Sequence, residues 1–409
     1  MRMTTRRGMF AAASAVLVAA LVTAVVPSAS ADEGFYSPPS PLPSGQDGDI
    51  IKSQPSKYNN ATSTRIMYLT RDVKDERIAV TGSVIVPDKQ WSGGGPRPIV
   101  AYAPFTAGMG DQCAPSKTLA GEGQQDMASG YQNSFVDTLL NKGFAVAQTD
   151  YQGLGTPGEH TYVMRAAEGH AVLDVLRAAQ RLPDAGLDKD APLGIAGYSQ
   201  GGGASAAAAE LAESYAPELD IKGAYAGAPV ADLGMLAETL DGSMYAGFLG
   251  FALIGINEAY PEAKMLELAN EKGAQAFMDL RTKCTLDAVF GYWYTDTSTL
   301  TKDGKPVAHY LDQSPFKEIV AENQRGSIKP EVPTLVEHAP VDDVLPYEQG
   351  KQMAKDWCGK GAAVQFKDLT VWGPYLSHVM GMNSAPSNAA NWLNDRFTGK
   401  PATSNCGQF

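Results

Sequence analysis

The chain has 409 residues, 44% of them hydrophobic and 19% charged, with a formal charge of −12 at pH 7. That acidic balance, with no basic run and no Lys/Arg patch interleaved with aromatic residues, makes nucleic acid a poor partner. The length exceeds the usual single-domain size, yet no linker or internal repeat follows residue 60, so one enlarged domain carrying an insertion is expected.

Residues 1–31 read as a secretory signal peptide: Arg2, Arg6 and Arg7, an apolar run from Met9 to Val26, then Ala29-Ser30-Ala31 before the cleavage point. The arginine pair suits either a twin-arginine signal or an ordinary basic leader. The run is shorter than the roughly 20 residues of a bilayer span, so no stable membrane span is expected. Removing the three arginines takes the formal charge from −12 to −15. Residues 32–60, rich in Pro, Ser and Gly, read as an extended N-terminal arm with no recognisable chemistry. An even number of cysteines in an exported chain, Cys113, Cys284, Cys358 and Cys406, predicts two disulfides. Of three possible connectivities the favoured one joins Cys113 to Cys284 and Cys358 to Cys406, the second pair pinning the C-terminal tail. Metal ranks below disulfides, because there is no Cys-x-x-Cys pair and no close histidine pair.

Short β-branched runs at 78–86, 98–103, 144–149, 193–196, 221–226, 334–337 and 364–368 alternate with helical patterns at 134–142, 162–181, 202–215, 347–356 and 387–396. This alternation predicts a mostly parallel sheet flanked by helices. It is interrupted over 231–325, where helical stretches appear without a convincing strand, so these residues are read as a helical cap inserted into a core of 61–230 and 326–409. Within the cap, residues 244–256 read MYAGFLGFALIGI, either a core helix of the cap or a segment that lines an acyl-chain tunnel or faces a lipid surface.

The strand at 193–196 runs into Gly197-Tyr198-Ser199-Gln200-Gly201, followed at once by a helix-forming stretch. Strand, G-x-S-x-G, helix is the context of a nucleophile elbow and of the α/β-hydrolase fold, which makes Ser199 the candidate nucleophile. The helix start aims the Gln200 N–H at a developing oxyanion. In this fold the partners follow in the order acid, histidine. His378, in a turn-rich loop after the last strand, is the candidate base. His338 reads as a hydrogen-bonded histidine at a strand end. The loop between them offers adjacent carboxylates, Asp342 and Asp343; one orients the imidazole and the other is expected to cap the helix near Pro346. A second oxyanion donor is expected from the loop after 98–103, where Thr106 is the candidate through its N–H and its hydroxyl; an ordinary glycine-rich turn is the competing reading. Asp150, in Asp150-Tyr151-Gln152-Gly153-Leu154-Gly155, reads as part of a structural turn rather than of the chemistry, with hydrogen bonding that orients the elbow or the loops as the competing reading. No metal or organic cofactor is required.

Together with the elbow, Gly108-Met109-Gly110-Asp111-Gln112-Cys113-Ala114-Pro115-Ser116, the Asp150–Gly155 stretch, Asp342 to Tyr347 and Ser377-His378 resemble the secretory lipases typified by yeast lipase A and their actinobacterial relatives. The resemblance implies an exported lipid or carboxylic ester hydrolase with a large helical cap and two disulfides. It implies Asp342 as the acid, since the first carboxylate before x-x-Pro-Tyr has that role in the family. The chain departs from the pattern at Phe105-Thr106-Ala107-Gly108, where yeast members place an aspartate near the oxyanion site. The rival readings are an exported peptidase of the same fold, a polymer ester hydrolase, and a catalytically idle surface-binding protein. Transient contact of the cap with a lipid surface is a further expectation.

Overall fold

The computed structural model describes residues 31–409, so the signal-peptide reading lies almost wholly outside the described residues. Its framework is one nine-stranded sheet: β1 (Ile50–Ser56), β2 (Ala61–Arg71), β3 (Arg77–Pro87), β4 (Ile99–Ala103), β5 (Ala145–Thr149), β6 (Leu193–Tyr198), β7 (Ile221–Gly227), β8 (Thr334–His338) and β9 (Val364–Asp368). The spatial order is β1-β2-β3-β5-β4-β6-β7-β8-β9. The first three strands form an antiparallel run that joins β5, and from β5 onward every pair is parallel. This is the α/β-hydrolase arrangement that the alternating pattern predicts.

The seven predicted strands are β3 to β9. Two more were not expected. Part of the segment read as an extended N-terminal arm, Ile50–Ser56, is an edge strand, which explains how it holds Pro55, since an edge position has an outward side with no ladder hydrogen bond to lose. β2 carries Thr62, Ser63, Thr64 and Arg65 at its start, which hides its apolar second half, Ile66 to Leu69.

Strands β4 and β5 are buried on both faces and accordingly have no polar alternation. Ile99, Ala101 and Ala103 pack against the helices Arg165–Arg181 and Gln200–Tyr215. Val100 and Tyr102 face the helices Met127–Asn141 and Ala385–Phe397. Helix Met127–Asn141 begins seven residues earlier than the predicted 134 because Asp126 and Ser129 form a reciprocal cap, with serine where a Glu or Gln signal is sought. Helix Arg165–Arg181 starts later than its predicted 162, because Val163 takes a left-handed φ of 59°.

The chain between β7 and β8 is helical and holds its own apolar core, including Leu236, Leu249, Phe251, Ile254, Leu280 and Val289. The run at 244–256 supplies most of its helix Ala246–Ala259. Among the described residues no helix is long and apolar enough to cross a membrane. The two disulfides are Cys113–Cys284 and Cys358–Cys406. The second ties the C-terminal tail to helix Tyr347–Gly359, while the Asn405 side chain exchanges two hydrogen bonds with the Phe366 backbone in β9.

Candidate active site

Ser199 stands between β6 and helix Gln200–Tyr215 with φ 62° and ψ −123°, a conformation costly for any residue with a Cβ and held only by its surroundings. The flanking glycines show what does the holding. A Cβ on Gly197 would lie 2.2 Å from the Gly201 carbonyl oxygen, and one on Gly201 would lie 2.0 Å from that of Ala103. Strand and helix therefore close to a distance that only glycine permits, and the serine is pushed out at the end of the sheet where the loops after β4, β8 and β9 converge.

Those loops bring the predicted partners together. His378 Nε2 is 2.9 Å from Ser199 Oγ, and His378 Nδ1 is 2.7 Å from Asp342 Oδ2. With the carboxylate accepting from Nδ1–H, the lone pair on Nε2 faces the serine proton. Asp342 Oδ1 accepts from the backbone N–H groups of Val344 and Leu345, at 2.9 and 2.8 Å. Burial works to raise the Asp342 pKa, but the two neighbouring histidines, His378 first, prevail through charge and side-chain hydrogen bonding and hold it well below the ordinary carboxylate range. His338, at the end of β8, donates from Nε2 to the Leu345 carbonyl and lies 3.5 Å from Asp342. It packs beside the acid; His378 is the histidine at the serine.

The expectation that Asp343 caps the following helix is corrected. Helix Tyr347–Gly359 has no side-chain cap. Asp343 turns the other way: Oδ1 accepts the His378 N–H at 3.0 Å and Oδ2 the Leu376 N–H at 2.7 Å. These N–H groups are free because His378 is not in an open loop but in a short helix, Ser377–Gly381, whose first donors have no partner of their own. Tyr198 supports the same turn from below, its hydroxyl donating to the His378 carbonyl at 2.8 Å.

Gln200 opens the elbow helix, so its backbone N–H is among the unpaired donors of that N-terminus. Thr106 is buried and lines the same cavity as Ser199. Its loop is stitched to the inserted helical segment: Met109 N–H donates to Lys283, Thr285 donates to the carbonyls of both Thr106 and Ala107, and Cys113 is bonded to Cys284. The cavity measures about 490 Å³ and is apolar, with Phe105, Met127, Tyr245, Phe248, Val289 and Leu376 among its walls. Met127, Phe290, Leu376 and Met380 line it and are also exposed, so its mouth is rimmed by hydrocarbon. A second apolar cavity of about 80 Å³ lies within the helical segment, walled by Ala246, Gly250 and Leu253 and remote from Ser199. Among the described residues no group of three or more His, Cys, Asp or Glu is placed to hold a metal ion.

The secretory lipase family model matches residues 122–405. The chain belongs to that family. With it, the chain joins the carboxylic ester hydrolases of triacylglycerol-lipase type. This secretory lipase is similar to a secreted triacylglycerol lipase of Malassezia globosa, 28% identical over 388 residues that cover 92% of this chain and 83% of the relative. It is 29% identical over 400 residues to a probable inactive lipase of Mycobacterium tuberculosis, covering 93% and 85%. The X-ray structure of Candida antarctica lipase A matches with a TM-score of 0.80 at 25% identity, over 92% of this chain and 88% of that one. A rice cell wall degrading esterase from Xanthomonas oryzae shares the fold, with a TM-score of 0.67 at 18% identity over 86% and 98%.

Two features of the lipase site were not read from its sequence. The Asp343 role depends on backbone donors that no motif encodes. The Gln200 side chain points away from the cavity to His160 and Glu168, both 2.9 Å away, and burial pushes the Glu168 carboxyl up to about 7 against the pull of Arg325. Asp150 follows its competing reading, accepting from Ser116 N–H, Ser116 Oγ and Thr81 Oγ1, which makes the Gly108–Ser116 and Asp150–Gly155 stretches one hydrogen-bonded unit.

Proposed function

We propose that the protein is a secreted serine ester hydrolase in which Ser199 is the nucleophile, His378 the base and Asp342 the acid. The observation that carries this is the hydrogen-bonded series Asp342–His378–Ser199, at 2.7 and 2.9 Å, opening into an apolar cavity. His378 Nε2 takes the serine proton as Oγ attacks the ester carbonyl. The tetrahedral oxyanion is held by N–H groups of Gln200 and Thr106. Collapse transfers the His378 proton to the leaving alcohol, and water, deprotonated by His378, releases the acid from the acyl-enzyme. Asp342 stays ionised throughout and stabilises the imidazolium.

The substrate class follows from the cavity. At about 490 Å³ it falls within the range typical of small-molecule sites, and its walls hold no Lys, Arg, Asp or Glu that would recognise a peptide terminus. This supports an acyl chain rather than a peptide, and lipid esters in particular given the hydrocarbon rim. Export agrees with the two disulfides, with the residues 1–31 and with the secreted relatives.

Initial rates on p-nitrophenyl esters of increasing chain length and on emulsified triacylglycerol, beside Ser199→Ala, test the reading. Loss of turnover in a folded Ser199→Ala variant is expected; full activity in it would sink the nucleophile assignment. The probable inactive relative favours one other reading, an idle lipid-binding protein. Failure of a fluorophosphonate to label Ser199 in the folded wild type would establish that reading instead.

A further inference from the structure

We propose that Tyr162 is a positioning residue for the oxyanion site: its phenol donates to the Thr106 hydroxyl and so directs the Thr106 proton at the carbonyl oxygen undergoing attack. The inference rests on the ester-hydrolase reading above. Thr106 Oγ1 and Tyr162 OH are 2.7 Å apart, and both residues are buried. The donor direction follows from counting partners. Among the described residues the Tyr162 hydroxyl has only Thr106. If Thr106 donated to it, the phenolic proton would be buried with nothing to accept it, a costly arrangement. If Tyr162 donates, the proton left over belongs to Thr106, which lines the cavity beside Ser199, where negative charge develops.

Tyr162 is held rigidly enough to do this. Its backbone lies against the helix Ala246–Ala259 so closely that a Cβ on Gly255 would be 2.5 Å from its carbonyl oxygen. Its ring meets Phe251 and His160 edge-on, with centroids 5.9 and 5.8 Å away. The next residue, Val163, is fixed in its left-handed turn by Glu168, which accepts its N–H at 2.9 Å, and by Arg325, which donates to its carbonyl at 3.0 Å. The same short segment secures the other donor. His160 gives its Nδ1 proton to the Gln152 carbonyl and accepts from the Gln200 side chain at Nε2, each at 2.9 Å. Tyr151 stacks on His160 and donates to the Pro104 carbonyl, two residues before Thr106. The Asp150–Gly155 motif and the His160–Val163 turn thus brace both residues expected to bind the oxyanion. A threonine hydroxyl is a free rotor, and a fixed phenol behind it supplies the orientation that it lacks.

The test is a double-mutant cycle of Tyr162→Phe and Thr106→Val, with kcat and KM on a p-nitrophenyl ester and the affinity for a trifluoromethyl ketone, whose serine adduct carries an oxyanion. Tyr162→Phe should lower kcat about tenfold with KM unchanged, and Thr106→Val about a hundredfold. Ketone affinity should fall by the same factor as kcat/KM. The double variant should be no worse than Thr106→Val, and Thr106→Ser should recover most of the loss. An unchanged kcat in Tyr162→Phe, or losses that multiply, would overturn the proposal. So would Thr106→Ser behaving like Thr106→Val, a comparison that does not depend on the Tyr162 variant folding. Fluorophosphonate labelling of wild-type Ser199, run alongside, separates this failure from failure of the ester-hydrolase reading, which predicts the label whatever Tyr162 does.

Discussion

Replacing each of the adjacent carboxylates by asparagine should have unequal consequences, because the two side chains face opposite ways. In Asp342→Asn the side-chain oxygen must stay on the Val344 and Leu345 N–H groups, which both donate to Oδ1. That leaves the amide NH2 facing His378 Nδ1, where Oδ2 now accepts at 2.7 Å. Two donors cannot share that contact, so the imidazole changes tautomer and presents Nε2–H to Ser199, unable to take the serine proton. A loss in kcat of about 10⁴ is expected, as for the equivalent change in other serine hydrolases. That is about 5.4 kcal/mol of transition-state stabilisation. Asp343→Asn keeps one acceptor for Leu376 or His378 and loses the other. One N–H left without an acceptor should cost about 1–3 kcal/mol of stability, and kcat should fall far less than for Asp342→Asn. Steady-state hydrolysis of a soluble p-nitrophenyl ester with parallel melting curves reads both. Equal kcat losses, or a larger loss from Asp343→Asn, would refute the assignment and the tautomer argument together.

Because the folded-state pKa of Asp342 is depressed, its contribution to stability is present above the unfolded value of about 4 and is lost as pH falls below it. Denaturant midpoints measured down the acid range should decline more steeply for wild type than for Asp342→Asn. The Cys113–Cys284 bond closes a loop of 171 residues, worth about 5 kcal/mol in chain entropy, so its double serine variant should lose stability of that order by urea denaturation and activity with it. The Cys358–Cys406 pair spans 48 residues and fastens only the tail, so its removal should destabilise the fold while leaving kcat of the folded enzyme unchanged. Phe248→Trp narrows the apolar cavity and should lower the rate ratio of long-chain to short-chain esters, read from the same ester series.

What was legible in the sequence is what repeats or what chemistry constrains. Parallel strands with both faces buried carry few polar residues, so central strands such as β4 and β6 stand out, whereas β1 is masked by Pro55 at a tolerant edge and β2 by its polar first half. The elbow is legible because close backbone approach leaves glycine no substitute. His378 follows from chain order alone, and Asp342 from family resemblance. The supporting residues were not legible for a physical reason. Asp343, His160 and Tyr162 act through backbone groups, or across separations of 56 residues as between Thr106 and Tyr162, and such contacts leave no local pattern.

The attachment of the Thr106 loop to the inserted helices divides the site into a stationary side and an adjustable one. The corner at Lys283–Thr285 is secured to that loop by a covalent bond and three hydrogen bonds. It cannot swing away as a flap without dismantling the Thr106 loop, the proposed oxyanion site. Any accommodation of longer or bulkier chains therefore falls to the rest of the rim, where Met127, Leu376 and Met380 line the cavity and are exposed. Selectivity is in this way free to drift through surface substitutions at the rim while the apparatus that sets the rate stays untouched.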